Sequence, residues 1–137
     1  MNNKTFWIGF VVVYVVMQAV GFLVHGVWLA DTYESLAAVF RPEEQMNSMM
    51  GAMWLSGAVM LFLFCYIFTK GREGTGVMEG VRYGALMGAF YSIPMSVDQY
   101  VVYPLPGNLV AIWLVVGIVT FVICGAVFAA IYKPAAT

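Results

Sequence analysis

Four stretches of the chain carry almost no charge, and this pattern limits the possible folds more than any other feature. The segments 5–30, 46–69 and 99–132 contain no Asp, Glu, Lys or Arg, and the shorter segment 83–97 contains none either. A helix needs roughly 20 mostly apolar residues to cross the hydrocarbon core of a bilayer. We therefore predict an all-α integral membrane protein, an antiparallel bundle of four transmembrane helices.

The shorter segment, 83–97, reaches spanning length only if its helix begins near Val77 and accommodates Glu79 and Arg82 near its start. Because these two residues are three positions apart, we expect them to pair on one helix face at the membrane surface. The predicted transmembrane helices cover about 6–30, 43–69, 78–97 and 108–132 of a single membrane domain, 1–137.

Composition supports a membrane protein and excludes some partners. The chain is 63% hydrophobic and 9% charged, whereas soluble domains are about 45–50% apolar and about 25% charged. A formal net charge of -1 provides no basic field for nucleic acid, so we expect no nucleic-acid partner.

The basic residues predict the orientation of the helices. Only Arg41 lies on one side of the predicted membrane, whereas the other side carries Lys4, Lys70, Arg72, Arg82 and Lys133. Because cytoplasmic loops are enriched in Lys and Arg, we predict that both termini are cytoplasmic. Asp31 and Asp98 are then carboxylates at the outer surface.

The connection between the first two transmembrane helices has a helical pattern of its own. Tyr33, Leu36, Ala37 and Phe40 follow the spacing i, i+3, i+4, i+7, which is typical of an amphipathic helix. Thr32 is the predicted N-cap. We expect a short helix that lies in the membrane interface.

Glycines mark the third transmembrane helix as the packing centre. Gly80, Gly84 and Gly88 recur every four residues, and small residues allow helix backbones to approach closely in lipid. The outer end of this helix is predicted to break or kink near Pro94, and the segment 98–107 is predicted to be extended.

A polar stripe on the first helix suggests a candidate site. Tyr14, Gln18, Gly21 and His25 share one helical face, and a polar stripe in a spanning helix is expected to face the bundle interior. The functional interpretation is a ligand or proton site; the structural one is an interhelical hydrogen bond from His25. The residues placed in the candidate ligand site are Gln18, His25, Tyr91 and Ser92.

No constellation in the sequence indicates an enzyme. No nucleophile–base pair, carboxylate dyad or phosphate-binding glycine loop is visible, and no set of Cys, His and carboxylates has metal-ligand spacing. Cys65 and Cys124 lie in apolar segments, which favours packing over a redox role. We predict no catalytic residues, and the sequence identifies no cofactor.

Three short pieces carry a family resemblance. They are Phe-Leu-Val-His-Gly at 22–26, Tyr-Ile-Phe-Thr-Lys-Gly at 66–71 and Glu-Gly-Val-Arg-Tyr-Gly at 79–84. Together they resemble a group of small bacterial four-helix inner-membrane proteins of unknown function. The resemblance implies a multi-pass protein of the bacterial cytoplasmic membrane and implies no activity.

These observations lead to two functional hypotheses. The leading one is a non-enzymatic membrane protein that acts through helix–helix contacts, either as an accessory or structural subunit of a membrane complex or as a homo-oligomer. Its partners are then the bilayer and other membrane chains or further copies of itself. The alternative is a small transporter or lipophilic-ligand-binding protein with a polar site near His25.

The predicted orientation can be tested by accessibility labelling. A cysteine introduced as Ser35→Cys should react with a membrane-impermeant thiol reagent added to intact cells, because residue 35 lies in a predicted outer connection. A cysteine introduced as Thr75→Cys should react only after the cells are opened. The reverse pattern would show that the orientation is wrong.

Overall fold

The computed structural model of the protein describes residues 2–133 and is helical throughout them apart from the connections. The all-helical prediction is confirmed for this part of the chain. The elements in chain order are α1 (Asn3–Gly21), a π-helical segment (Phe22–Trp28), α2 (Ala30–Ser35), α3 (Glu43–Gly71), α4 (Val77–Val102) and α5 (Gly107–Ile131).

Three helices are long and apolar enough to cross a membrane. They are α1 with its π-helical continuation, Asn3–Trp28, together with α3 and α5. The helix α4 has a similar length of 26 residues but is not in this set, because it carries Glu79, Arg82, Asp98 and several other polar side chains.

The backbones of α4 and α5 touch along much of their length. A Cβ atom added at Gly80 would overlap the carbonyl of Gly125, and one added at Gly84 would overlap the carbonyl of Phe121. At Gly88 the added atom would lie 3.0 Å from the Cα of Ile118. Since the partner numbers fall as the α4 numbers rise, the two helices are antiparallel.

The same face of α4 continues beyond the glycines. Ser92 and Ser96 extend the four-residue spacing and are buried with Gly80, Gly84 and Gly88. Opposite them, a Cβ added at Gly117 of α5 would overlap the Oγ of Ser92. Glycine or serine therefore occupies five buried positions on this face of α4, each four residues from the next.

The helix α1 lies against α5 at the end of the bundle where the chain starts. A Cβ added at Gly9 would lie 2.8 Å from the ring of Phe128, so glycine permits this close approach. The hydroxyl of Thr5 donates a hydrogen bond of 3.0 Å to the carbonyl of Lys133. We call this the basic end, and the opposite end, which holds the π-helical segment and α2, the distal end.

The helix α3 is packed along only half of its length. Its buried side chains are Leu61, Phe64, Cys65 and Phe68, all in its second half. Within 43–56, by contrast, every residue except the half-buried Met50 is exposed. One contact there is a hydrogen bond of 3.1 Å from the Tyr14 hydroxyl to the Trp54 carbonyl. The main core therefore lies toward the basic end.

Of the two outcomes predicted at Pro94, a break or a kink, the break is wrong. The helix α4 continues through Pro94 to Val102, so the predicted extended segment loses 98–102 to the helix. Proline removes one backbone hydrogen bond and costs about 3 kcal/mol or more inside a helix. The close packing of α4 against α5 on both sides of this position is the compensating interaction.

The short connecting helix differs from its prediction at both ends. It begins at Ala30 and ends at Ser35, so Thr32 lies inside it and is not the N-cap. The carbonyl of Thr32 accepts a hydrogen bond of 2.7 Å from the hydroxyl of Ser35. Such local bonding by serine competes with further helix formation.

Glu79 and Arg82 do not pair with each other, contrary to the sequence prediction. The Glu79 carboxylate, on a residue that is only 6% exposed, accepts hydrogen bonds from the backbone N–H groups of Glu73, Gly74 and Thr75. Arg82 instead donates to the Thr75 hydroxyl at 3.0 Å and lies 3.6 Å from the Glu73 carboxylate. The carboxylate of Glu79 thus fixes the α3–α4 connection.

The glycine contact predicts a clear difference between two leucine substitutions. Gly84→Leu should destabilise the protein by about 1–3 kcal/mol or more, because the side chain must displace the α5 backbone. Gly57→Leu is the matched control, since nothing lies within 4 Å of a Cβ added there. Thermal unfolding in detergent measures both, and equal stability of the two variants would contradict the packing role.

Candidate functional site

A cavity lies between the π-helical segment and the distal halves of α4 and α5. Its volume is about 380 Å³, near the lower end of the roughly 300–1,000 Å³ range of ligand pockets. We call it the polar cavity. Its polar or partly polar lining residues are His25, Tyr91, Ser92, Ser96, Gln99, Trp113 and Thr120.

The π-helical segment places His25 at this cavity. The segment spans Phe22–Trp28, and the N–H of Leu29 bonds the carbonyl of Val24 at 2.8 Å, which is the i→i+5 pattern. Short π-helical turns inside α-helices occur frequently at functional sites. His25 itself is exposed at the edge of the cavity.

The Tyr33 hydroxyl joins His25 to α5. It lies 2.5 Å from Nδ1 of His25 and accepts a hydrogen bond of 2.9 Å from Nε1 of Trp113. Because the indole N–H can only donate, the Tyr33 proton is free to point to Nδ1 and leave the proton of neutral His25 on Nε2. The pKa of Tyr33 lies above its usual value because the hydroxyl is partly buried. The hydrogen bond from Trp113 acts in the opposite direction, and its effect is the smaller of the two.

Ser92 is the most unusual polar group in the cavity. The residue is 4% exposed, and its Oγ has no hydrogen-bond partner among the described residues. A buried hydroxyl without a partner costs about 1–3 kcal/mol. By comparison, the hydroxyl of Thr120, also in the lining, donates to the Val116 carbonyl at 2.7 Å. Of these two hydroxyls, only that of Ser92 has no hydrogen-bond partner.

The structure brings three of the four candidate ligand-site residues together. His25, Tyr91 and Ser92 line the polar cavity, and Gln18 does not. The sequence predicts Gln18 and His25 on one face of a continuous α-helix. The wider turn that begins at Phe22 changes this register, because a π-helix bonds i to i+5. Neither Asp31 nor Asp98 lines the cavity.

Four polar lining residues were not predicted from the sequence. Ser96 continues the four-residue spacing of the α4 glycines, so that spacing provided a usable signal. Gln99 and Thr120 lie in uncharged segments with no distinguishing pattern. Trp113 enters the site through a contact with Tyr33, 80 positions away in the sequence, which no local pattern indicates.

The polar cavity offers hydrogen bonds and no formal charge. None of its lining residues is Asp, Glu, Lys or Arg. Within 2–133, no group of three or more His, Cys, Asp or Glu side chains is arranged to hold a metal ion. The arrangement can therefore recognise a molecule by hydrogen bonding and shape.

A second, larger groove adjoins the polar cavity. It lies between α3 and α4, has a volume of about 680 Å³, and is lined mainly by apolar side chains such as Val59, Met60, Met87 and Phe90. We call it the apolar groove. Tyr91 lines both spaces, so they meet at this side chain.

Comparisons with known proteins place the chain in no characterised group. No family model matches the sequence, no curated protein matches it, and no solved structure matches the fold. The function of the protein is therefore inferred from the geometry of the site.

The hydrogen bonds of Tyr33 predict the effects of substitutions around His25. Tyr33→Phe should lower the free energy of unfolding by about 1–3 kcal/mol, because Trp113 Nε1–H and His25 Nδ1 lose their shared partner. His25→Gln should retain most of the stability, since an amide offers both a donor and an acceptor, whereas His25→Leu should not.

The matched control is Tyr100→Phe, which removes the same atom from an exposed tyrosine. Thermal unfolding in one detergent measures all four variants. If Tyr33→Phe were no less stable than Tyr100→Phe, the hydroxyl would have no structural role.

Proposed function

We propose that α4 crosses the bilayer beside α5, which gives a membrane protein with four spans and both termini in the cytoplasm. The support for this proposal is the backbone contact from Gly80 to Gly88. A helix satisfies its backbone groups internally in lipid, and small residues let it pack closely on a neighbour. At 26 residues, α4 is long enough to cross the bilayer beside α5. The resemblance described above supports the bacterial inner membrane as the location.

The positions of basic residues support the proposed orientation. At the basic end, Thr5 bonds Lys133, and the Arg72 guanidinium lies 5.6 Å from the centre of the Tyr132 ring. Four of the six Lys and Arg residues lie at or next to helix termini of this end, and a fifth, Arg82, lies in the second turn of α4. Such an excess is typical of the cytoplasmic side of a membrane protein.

We propose that the protein is a non-enzymatic binder of a small lipophilic ligand, which it holds in the polar cavity. The single observation that carries this proposal is the buried Ser92 hydroxyl, which lacks a partner at a place where polar side chains from three helical elements meet. Polar groups inside membrane segments are costly and mark ligand or ion pathways. A ligand oxygen or nitrogen would satisfy Ser92.

The test of this proposal separates binding from folding. Ser92→Ala should leave the stability of the ligand-free protein unchanged or slightly higher, because it removes a hydroxyl that has no partner. The same substitution should weaken retention of the bound molecule by about three- to tenfold, the value of one neutral hydrogen bond. Native mass spectrometry after mild membrane extraction measures the retained molecule.

The control is Ser48→Ala, whose parent hydroxyl donates to the Gln45 carbonyl at 2.7 Å on the exposed part of α3. This variant should retain the molecule as well as the parent does. Absence of any bound small molecule from the parent protein, extracted from its native membrane, would refute ligand binding.

A second function is supported by the exposed half of α3. Residues 43–56 stand largely clear of the bundle, and Met46, Met49 and Met53 are exposed there. Methionine-rich surfaces adapt to varied partners. This supports the accessory-subunit or homo-oligomer hypothesis, and the same native mass spectra test it because they count the associated chains.

A further inference from the structure

We propose that the ligand is an uncharged amphiphile, with its head in the polar cavity and its apolar tail in the apolar groove. This inference depends on the proposed ligand-binding function and specifies the chemistry of the ligand. It rests on the lining of the two spaces, on their junction at Tyr91, and on the unpaired hydroxyl of Ser92.

An uncharged head group is inferred because the polar cavity supplies no permanently charged counter-ion. No Asp, Glu, Lys or Arg lines it, and an unpaired ion is far more costly to bury than a neutral polar group. Ser92 Oγ offers both a donor and an acceptor. A carbonyl or hydroxyl oxygen is the simplest head that satisfies it.

The size of the polar cavity indicates that it holds a head group and not a whole lipid. About 380 Å³ is available there, and about 680 Å³ in the apolar groove. The groove contains only Ser56 and Tyr91 as polar lining residues. A hydrocarbon chain fits this chemistry, and its path from head to tail passes Tyr91.

The two spaces also differ in the helices that line them, and this difference makes the proposal testable. The groove is lined by α3 residues between 52 and 67, whereas no residue of α3 lines the polar cavity. The tail end of a bound amphiphile should therefore contact α3, and the part of the chain next to the head should not.

The experiment uses two photoreactive dodecanols on the full-length protein in phosphatidylcholine nanodiscs. One carries a diazirine beside the hydroxyl head and the other at the end of the chain. After irradiation, peptide mapping should find the first probe on the distal halves of α4 and α5 and the second on α3. Equal labelling of α3 by both probes would overturn the proposed head-to-tail arrangement.

Competition by unlabelled probes of equal chain length tests the charge of the head. Dodecanol should displace the probes, whereas dodecanoate and dodecylammonium should be at least about tenfold weaker, because burying an unpaired ion is costly. If either charged probe competed as well as dodecanol, the uncharged head would be refuted.

A pair of tryptophan substitutions on α3 tests the path of the tail. Val59→Trp fills the apolar groove and should reduce labelling of α3 by the chain-end probe about fivefold or more, since overpacked sites exclude additional groups. Met53→Trp is the matched control, because Met53 is exposed and does not line the groove. Equal labelling of the two variants would refute the groove as the path of the tail.

The outcomes separate this inference from the function on which it depends. If neither probe gives saturable labelling and the parent protein retains no small molecule, ligand binding itself fails. If the parent retains a molecule but charged probes compete equally, or α3 is labelled without regard to probe position, only the inferred chemistry and path fail.

Discussion

The backbone contact between α4 and α5 determines where the other helices can lie. In lipid no hydrophobic force drives apolar helices together, so close packing and hydrogen bonds must supply the attraction. Gly80 and Gly84 bring the two backbones together at the basic end. The resulting pair presents Phe121, Cys124 and Phe128 as a buried surface, against which the packed parts of α1 and α3 complete the core.

The packed end of the bundle explains the open end. The buried side chains of α3 all lie in its second half, while its first half has few contacts and is largely exposed. The polar cavity lies beyond the main core, whereas the apolar groove borders the core at Phe64 and Phe121. At the distal end, a smaller cluster of Leu29, Leu105 and Leu109 holds the π-helical segment near α5. The two spaces are thus bordered by a fixed pair of helices on one side and less constrained elements on the other.

Sequence reasoning succeeded where one local signal determined the outcome. The length of the uncharged segments predicted helices. The spacing of Gly80, Gly84 and Gly88 identified residues that the structure places against α5. Sequence reasoning failed for 98–102, which was predicted to be extended, because α4 continues through Pro94 to Val102 and tertiary packing overrides a local helix breaker. It also failed for the partner of Glu79, because the carboxylate bonds the backbone of a loop whose shape depends on positive φ at Gly74 and Gly76.

In the candidate site, too, local sequence signals predicted some residues, whereas others depend on tertiary contacts. Ser92 and Ser96 lie on a readable spacing, and His25 is the single histidine of the chain. The π-helical turn, however, has no sequence signal that we recognise, and it determines that His25 lines the cavity while Gln18 does not. The Tyr33–Trp113 bond joins residues far apart in the chain and becomes visible only when α5 is placed.

The contact between α1 and α5 has a consequence for how the protein is made. Gly9 and Thr5 find their partners in Phe128 and Lys133, near the other end of the described chain. Ribosomes add roughly 5–20 residues per second, so α1 waits on the order of ten seconds before its binding surface on α5 has been synthesised. During this interval α1 lacks its contacts with α5 and can pack only on α3, to which the Tyr14 hydroxyl donates a hydrogen bond at Trp54. Until α5 is made, α1 therefore depends on its hydrophobicity and on its contacts with α3, such as the packing of Phe6 and Phe10 against Phe62.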